Sequence, residues 1–255
     1  VKSCMKKLKN ILKNKGVSSS DTLLVHSSYR NLARENINVT SIINDLLETV
    51  NMGNLLIPTM SWRYVNKTQT VFDVNNTPSN TGYISEVFRK DYSQFRSYHP
   101  THSICGYGKN IKDISNEHHL SKSPCDLKSP FHKMLKYNPW ILLMNTKIDC
   151  CTNIHCCEEQ VAPDLYTEQN PVEYKIKISP KEVLNYKCLK HKLMKRNYYK
   201  VQDLLDANNK IVFFKLFFFI NILFKADSLN NLVLKELKKD SYFLLANNFD
   251  KYRLM

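Results

Sequence analysis

Two short apolar runs separated by the length of one helix constrain this chain more than any other feature. Leu23-Leu24-Val25, within residues 22–26, shows no polar alternation, so it suits a strand covered on both faces. Leu55-Leu56-Ile57 repeats the pattern and stops at Pro58. Between them Ile42, Ile43, Leu46, Leu47 and Val50 recur at helical spacing, with Thr40 or Ser41 placed to cap the helix and Gly53 following it. Strand, helix and strand in so short a stretch form a βαβ unit. A crossover helix returns the chain to the same end of the sheet, so the two strands pair in parallel. Residues 140–144, Trp-Ile-Leu-Leu-Met, supply a third buried strand. The expected fold is α/β, a three-layer α/β/α sandwich with a largely parallel central sheet.

The other elements fit around this frame. Met5, Leu8 and Leu12 share one stripe of a lysine-rich helix over 2–15, which Gly16 ends. Residues 61–80 are polar, with turn chemistry at Asn75-Asn76-Thr77-Pro78-Ser79. A helix over 81–90 turns Ile84, Val87 and Phe88 inward. A strand is expected near 103–107, a helix over 110–119, and a short helix capped by Thr152 that carries His155 and Glu158. Residues 175–210 read as lysine-rich helix, 211–224 as a buried strand or helix, and 230–240 as a further helix on Leu232, Leu234 and Leu237. The whole of 1–255 is expected to be one domain, with a smaller Lys/Phe-rich portion over 175–255.

Bulk properties exclude several function classes. The 37 Lys+Arg against 23 Asp+Glu give +14, which attracts polyanions, phosphorylated cofactors included. The basic residues are dispersed, so no nucleic-acid module emerges; Tyr198-Tyr199 beside Lys195, Arg196 and Lys200 is the one spot of that type. No window approaches the ~18 apolar residues of a membrane helix. Residues 1–15 lack the apolar run of a secretory leader, so a cytoplasmic, reducing compartment with free thiols is expected. A zinc site on the Cys150-Cys151 and Cys156-Cys157 pairs with His155 is disfavoured, since adjacent cysteines point apart. No metal is expected.

Chemistry concentrates in two stretches. Thr152-Asn153-Ile154-His155-Cys156-Cys157-Glu158 places a histidine and a carboxylate at i and i+3, on one face of a helix. Such a histidine accepts protons near neutral pH. Glu159 is the i+4 alternative partner. Arg96-Ser97-Tyr98-His99-Pro100-Thr101-His102-Ser103 sets a cation, two histidines and hydroxyls around one proline. Arg96, Ser97 and Ser103 are therefore candidates to bind the phosphate or polar groups of an anionic co-substrate, while His99 and His102 are equally candidates to shape the connection. Between Lys147 and Lys175 there are six acids (Asp149, Glu158, Glu159, Asp164, Glu168, Glu173) and no Lys or Arg. That interval would draw a cationic substrate, with Glu159 as a contact.

Both stretches resemble the aminoglycoside 3-N-acetyltransferase family, the antibiotic N-acetyltransferases that lack the GNAT fold. Matching pieces follow in the family's order: Leu24-Val25-His26-Ser27-Ser28, Leu55-Leu56-Ile57-Pro58-Thr59, Thr77-Pro78-Ser79-Asn80-Thr81-Gly82, Glu86-Val87-Phe88-Arg89, Ser129-Pro130-Phe131 and Ile141-Leu142-Leu143. The resemblance covers roughly 20–165 and fades beyond Glu173. It implies an acyltransferase of antibiotic resistance, with acetyl-CoA as co-substrate and a 3-amino group of an aminoglycoside as acceptor. It implies His155 as the catalytic histidine with Glu158 as the motif's own acid, and Ser27 and Ser28 near the thioester. Asp73, before the Thr77-Pro78 turn, is a candidate contact for a substrate amine. Where relatives carry glycines, residues 29–38 have none, and Arg30 and Arg34 are placed to compensate. A nucleotide-linked or polysaccharide amino sugar is the rival acceptor, and a non-enzymatic basic nucleic-acid-binding module the rival of another class.

Overall fold

The computed structural model describes residues 2–216 and 219–246; Phe217, Phe218, residues 247–255 and the side chains of residues 1–7, Met5 among them, lie outside the description. The first half of the chain forms α1 (Lys2–Asn14), β1 (Thr22–Ser27), α2 (Arg30–Arg34), α3 (Val39–Thr49), β2 (Asn54–Pro58), β3 (Val71–Asp73), α4 (Tyr83–Asp91), β4 (Phe95–Arg96), β5 (Ile104–Gly108) and α5 (Ile111–Ser115). The second forms α6 (Pro130–Lys133), β6 (Trp140–Met144), α7 (Asn153–Val161), α8 (Pro163–Tyr166), β7 (Val172–Ser179), β8 (Glu182–Cys188), α9 (Tyr199–Ala207), β9 (Ile211–Leu216), β10 (Phe219–Lys225) and α10 (Ala226–Lys239).

The βαβ unit forms as the apolar runs require. β1 pairs in parallel with β2, Leu23 opposite Leu55, and with β6, Leu24 opposite Ile141. The seven-stranded sheet runs β4-β5-β2-β1-β6-β10-β9. β5 and β10 join antiparallel, so β4, β2, β1, β6 and β9 point one way and parallel bonding is confined to the three central strands. Alternate residues of the central strands face opposite layers. Leu23, Val25, Leu55 and Ile57 pack with Leu12, Ile43, Leu46 and Phe88 from α1, α3 and α4. Leu24, Leu56, Ile141 and Leu143 pack with Phe131, Ile154, Val201 and Leu229 from α6, α7, α9 and α10. This is the three-layer α/β/α arrangement, and each fully buried leucine in it contributes ~1.5–3 kcal/mol.

Local chemistry shifts several boundaries. Asn38, rather than Thr40 or Ser41, caps α3: its Oδ1 accepts the Thr40 and Ser41 amides at 2.8 and 3.4 Å. Thr152 precedes α7 in helical conformation and makes no side-chain cap bond. The helix expected over 110–119 is split into α5 and a 3₁₀ turn at His118–Leu120.

The largest correction concerns 175–210. One continuous lysine-rich helix does not form there; β7 and β8 make an antiparallel hairpin, and helix is confined to α9 at the end of the stretch. The apolar residues Val172, Tyr174, Ile176 and Ile178 alternate with Glu173, Lys175 and Lys177, a strand period. β3 pairs in parallel with β7, and this three-stranded second sheet has its own core of Phe72, Val74, Tyr174, Ile176, Tyr186 and Cys188. The Phe-rich run resolves into β9 and β10, which extend the main sheet, with Phe213 opposite Ile222. Among the described residues no helix is long and apolar enough to cross a membrane.

Candidate active site

Parallel strands bring their carboxyl ends to one edge, where α/β folds bind ligands. Ser27 ends β1, Pro58 ends β2 and Met144 ends β6. A cleft of about 400 Å³ opens at this edge, walled by His26, Ser27, Pro58, Met60, Trp62, Asn80, Thr81, Ser85, His102, Thr146, Asp149, Cys150, Thr152 and His155. Thr81 Oγ1 ties its turn to the Pro58 carbonyl at 2.7 Å, and Gly82 follows it in a backbone conformation that disfavours other residues. Its φ is +124°, and a Cβ there would stand 3.6 Å from the Ser27 carbonyl oxygen. A second cavity of about 290 Å³ is lined by Lys147, Asp149, His155, Met194, Arg196, Tyr198 and Tyr199. His155 and Asp149 therefore border both spaces.

The position of His155 follows from the packing of α7. Ile154 and Cys157 turn into the core, so the intervening His155 emerges at the cleft with its side chain 21% exposed. One turn on, Glu158 is fully buried, and its Oε2 lies 2.7 Å from His155 Nδ1. Its Oε1 accepts from Arg196 Nε at 2.8 Å, and the Tyr198 hydroxyl approaches it at 3.4 Å. Burial alone would raise the Glu158 carboxyl, but hydrogen bonds and charge from His155 and Arg196 outweigh it and hold the group below its usual range. The carboxylate thus stays ionised beside the imidazole. With Nδ1 held by Glu158, Nε2 is the nitrogen left to take a proton.

Two buried polar atoms at the cleft, His26 Nε2 and Asn80 Nδ2, have no hydrogen-bond partner among the described residues. Burial lowers His26 to about 3, so it meets a ligand as a neutral ring. His102, also on the wall, is lowered to about 3, by burial first and then by repulsion from neighbouring cations.

The structure separates the residues singled out from sequence. Ser27 stands on the cleft wall with His155. Ser28 does not line it; its amide donates to the Met144 carbonyl at 3.0 Å, tying β1 to β6. Arg96, Ser97 and Ser103 are buried, bonded within the protein, and not on the wall of this cleft. The Arg96 guanidinium donates to Ser103 Oγ and to the carbonyls of Val74, Thr77 and Thr59, and it lies over the Phe72 ring. Ser97 Oγ meets His118 Nδ1 at 2.8 Å and accepts the Ile104 amide. Ser103 Oγ donates to the Thr59 carbonyl. His99 Nδ1 accepts the amides of Thr101 and His102, so it shapes the turn.

Asp73 is likewise occupied away from the cleft. It accepts the Asn75 and Asn76 amides and pairs with Lys177 on the adjacent strand. Glu159 does not line the cleft: it is buried and bonded to Ser123 Oγ, the Cys125 amide and His191 Nε2. Of the six acids in the interval, Glu168 pairs with Lys67 and Glu173 with Lys187, while Asp149 is the member at the cavities. Arg196 and Tyr198 turn inward onto Glu158, so the spot suggestive of nucleic-acid binding does not form a surface patch. Among the described residues the metal-ligating groups that converge are Cys125, Glu159 and His191, not the cysteines of 150–157.

Arg196, Tyr198, His191, Trp62 and Asn80 were not identified as site residues from sequence. Arg196 and Tyr198 arrive from about 40 residues further along the chain, and no local spacing links them to His155.

Comparison with known proteins adds to this geometry. The family model of aminoglycoside 3-N-acetyltransferase matches residues 24–214. The chain belongs to this family. A curated relative, the SPbeta prophage-derived aminoglycoside N(3')-acetyltransferase-like protein YokD of Bacillus subtilis (strain 168), is 26% identical over 171 residues. That match covers 59% of this chain and 62% of the relative, so it spans less than two thirds of that protein. The fold is shared with aminoglycoside acetyltransferase AAC(3)-IVa: the apoenzyme superposes with a TM-score of 0.81 at 19% identity, covering 97% of this chain and 93% of that one. A histidine-to-alanine mutant of the same protein, in complex with a gentamicin, gives 0.78 at 20% identity, covering 92% and 88%. AAC-IIIb, a binary complex with CoASH, gives 0.76 at 16%, covering 92% and 96%.

Proposed function

We propose that this acetyltransferase-family chain moves the acetyl group of acetyl-CoA onto an amine of an aminoglycoside, the 3-amino group by the family's name, with His155 as general base. The observation that carries the reading is the His155–Glu158 pair, whose ring borders both cavities. A base for acyl transfer must face donor and acceptor together. The CoASH and gentamicin complexes of the structural relatives support these two ligand classes.

The acceptor amine attacks the thioester carbonyl carbon, and its proton passes to His155 Nε2. The imidazolium is offset by Glu158, which Arg196 and Tyr198 hold in place. The tetrahedral adduct collapses by breaking the C–S bond; the amide forms, and CoA leaves as a thiolate that takes up the proton. Ser27 lies on the same cleft wall, which supports a role for its hydroxyl in polarising the carbonyl. Asp149, at the junction of the cavities, favours a free polycation over an amino sugar on an anionic carrier. No step requires a metal, and buried free thiols such as Cys151 and Cys157 suit a reducing, cytoplasmic compartment.

The test is thiol release from acetyl-CoA across a panel of aminoglycosides and nucleotide-linked amino sugars. His155→Ala should lower kcat by about 100-fold or more while acetyl-CoA still binds. An unaltered kcat rejects His155 as base.

A further inference from the structure

Glu158 and Glu159 are neighbours on α7, and each grips a histidine. Glu158 holds His155; Glu159 holds His191, which the chain brings back from the far side of the β7–β8 hairpin. The two imidazoles stack, with ring centroids 4.2 Å apart and planes inclined by 27°. His191 is anchored at both ends: its backbone forms an isolated antiparallel bridge with Thr167, and its ring is tied to Glu159. Glu159 is tied in turn to Ser123 Oγ and the Cys125 amide. The side chains of His191 and Glu159 are 12% and 2% exposed, and neither lines the cleft.

We infer that Glu159 and His191 form a positioning pair, whose stacked imidazole fixes the plane of the His155 ring. This rests on the reading of His155 as base. Burying a carboxyl and an imidazole together is not the cheapest way to fill a core, since an apolar pair of similar volume is often more stabilising. Here the polar pair stands directly behind the one ring that meets both cavities.

Around His155 stand Glu158, Arg196 and Tyr198, with Asp149 and Lys147 at the cavity rim. Around His191 stand His155, His102, Arg196 and His99. Beyond Glu159 lie Asp126 and Cys188. Burial first, and then the neighbouring His155 and Arg196, push His191 well down, so its ring faces His155 as a neutral imidazole.

His191→Ala should lower kcat by about 10- to 100-fold through loss of ring alignment, with KM for acetyl-CoA little changed. His191→Phe, which restores a ring without the hydrogen bond to Glu159, should recover part of kcat and leave KM for acetyl-CoA unchanged. Nitrogen NMR of the His155 ring in all three proteins reads the change in its surroundings without turnover. Absent turnover in the unaltered chain would therefore refute the acetyl-transfer reading alone. A kcat within about threefold of the unaltered chain in His191→Ala, a loss that falls on KM instead of kcat, or no recovery in His191→Phe would overturn the positioning role. So would stoichiometric zinc in the purified chain, because Cys125, Glu159 and His191 would then be its ligands.

Discussion

Replacing Glu158 by Gln tests the core of the site. The substitution keeps the shape of the side chain and removes its charge. It weakens the 2.7 Å bond to His155 Nδ1 and leaves Arg196, whose side chain is 8% exposed, as a buried cation without its partner. A hydrogen bond to a charged group is worth ~1.5–3 kcal/mol. This bond is at its strongest when the imidazolium forms, so kcat should fall by about 10- to 150-fold. Breaking a buried ion pair from one side costs ~3–5 kcal/mol, and in a chain of this size that lowers Tm by about 6–20 °C. Both groups are buried, so solvent screening does not reduce the figure appreciably. The double variant Glu158→Gln/Arg196→Met separates the two effects. Removing the stranded cation should restore part of the Tm and none of the kcat. Thiol-release kinetics and thermal unfolding measure both. A Glu158→Gln kcat within threefold of the unaltered chain, or recovery of kcat in the double variant, would show that Glu158 does not support the base.

Three further outcomes follow from the geometry. Arg96→Met should cost more than about 3 kcal/mol, because three carbonyls and Ser103 lose their buried donor, while KM for acetyl-CoA stays constant; a raised KM at unchanged Tm would restore the cofactor role expected from sequence. Asp149→Asn should raise KM for a polycationic acceptor by up to about fivefold, and the difference should shrink with added salt. Stability should fall steeply below pH 6.5: His26, His102 and His118 are each lowered to about 3 by burial, so the unfolded chain binds their protons first as pH drops. Each contributes up to about 1.4 kcal/mol per pH unit, fully present above the unfolded value near 6.5 and lost toward acid. Denaturant unfolding between pH 6.5 and 5 that shows no slope contradicts their burial as neutral rings.

Elements carrying their own periodicity were legible in the sequence. Leu23-Leu24-Val25, Leu55-Leu56-Ile57 and the Ile42–Val50 stripe dictate a parallel pair bridged by a helix, since residues this close in sequence have few ways to bury those faces. The His155–Glu158 pair was legible for the same reason: a helix places i and i+3 side by side. The tertiary structure decided what depends on distance along the chain. Arg96 reads as an anion contact until the fold surrounds it with the carbonyls of Val74, Thr77 and Thr59. Asp149 and Glu159 read alike as acids on a basic chain, and packing alone leaves one at the cavities and closes the other against His191. Arg196 and Tyr198 reach Glu158 from a segment whose lysines suggested helix, because pairing of β7 with β3 and β8 redirects that segment. Local pattern states which face a residue prefers to bury; only the completed fold states which distant groups will meet it there.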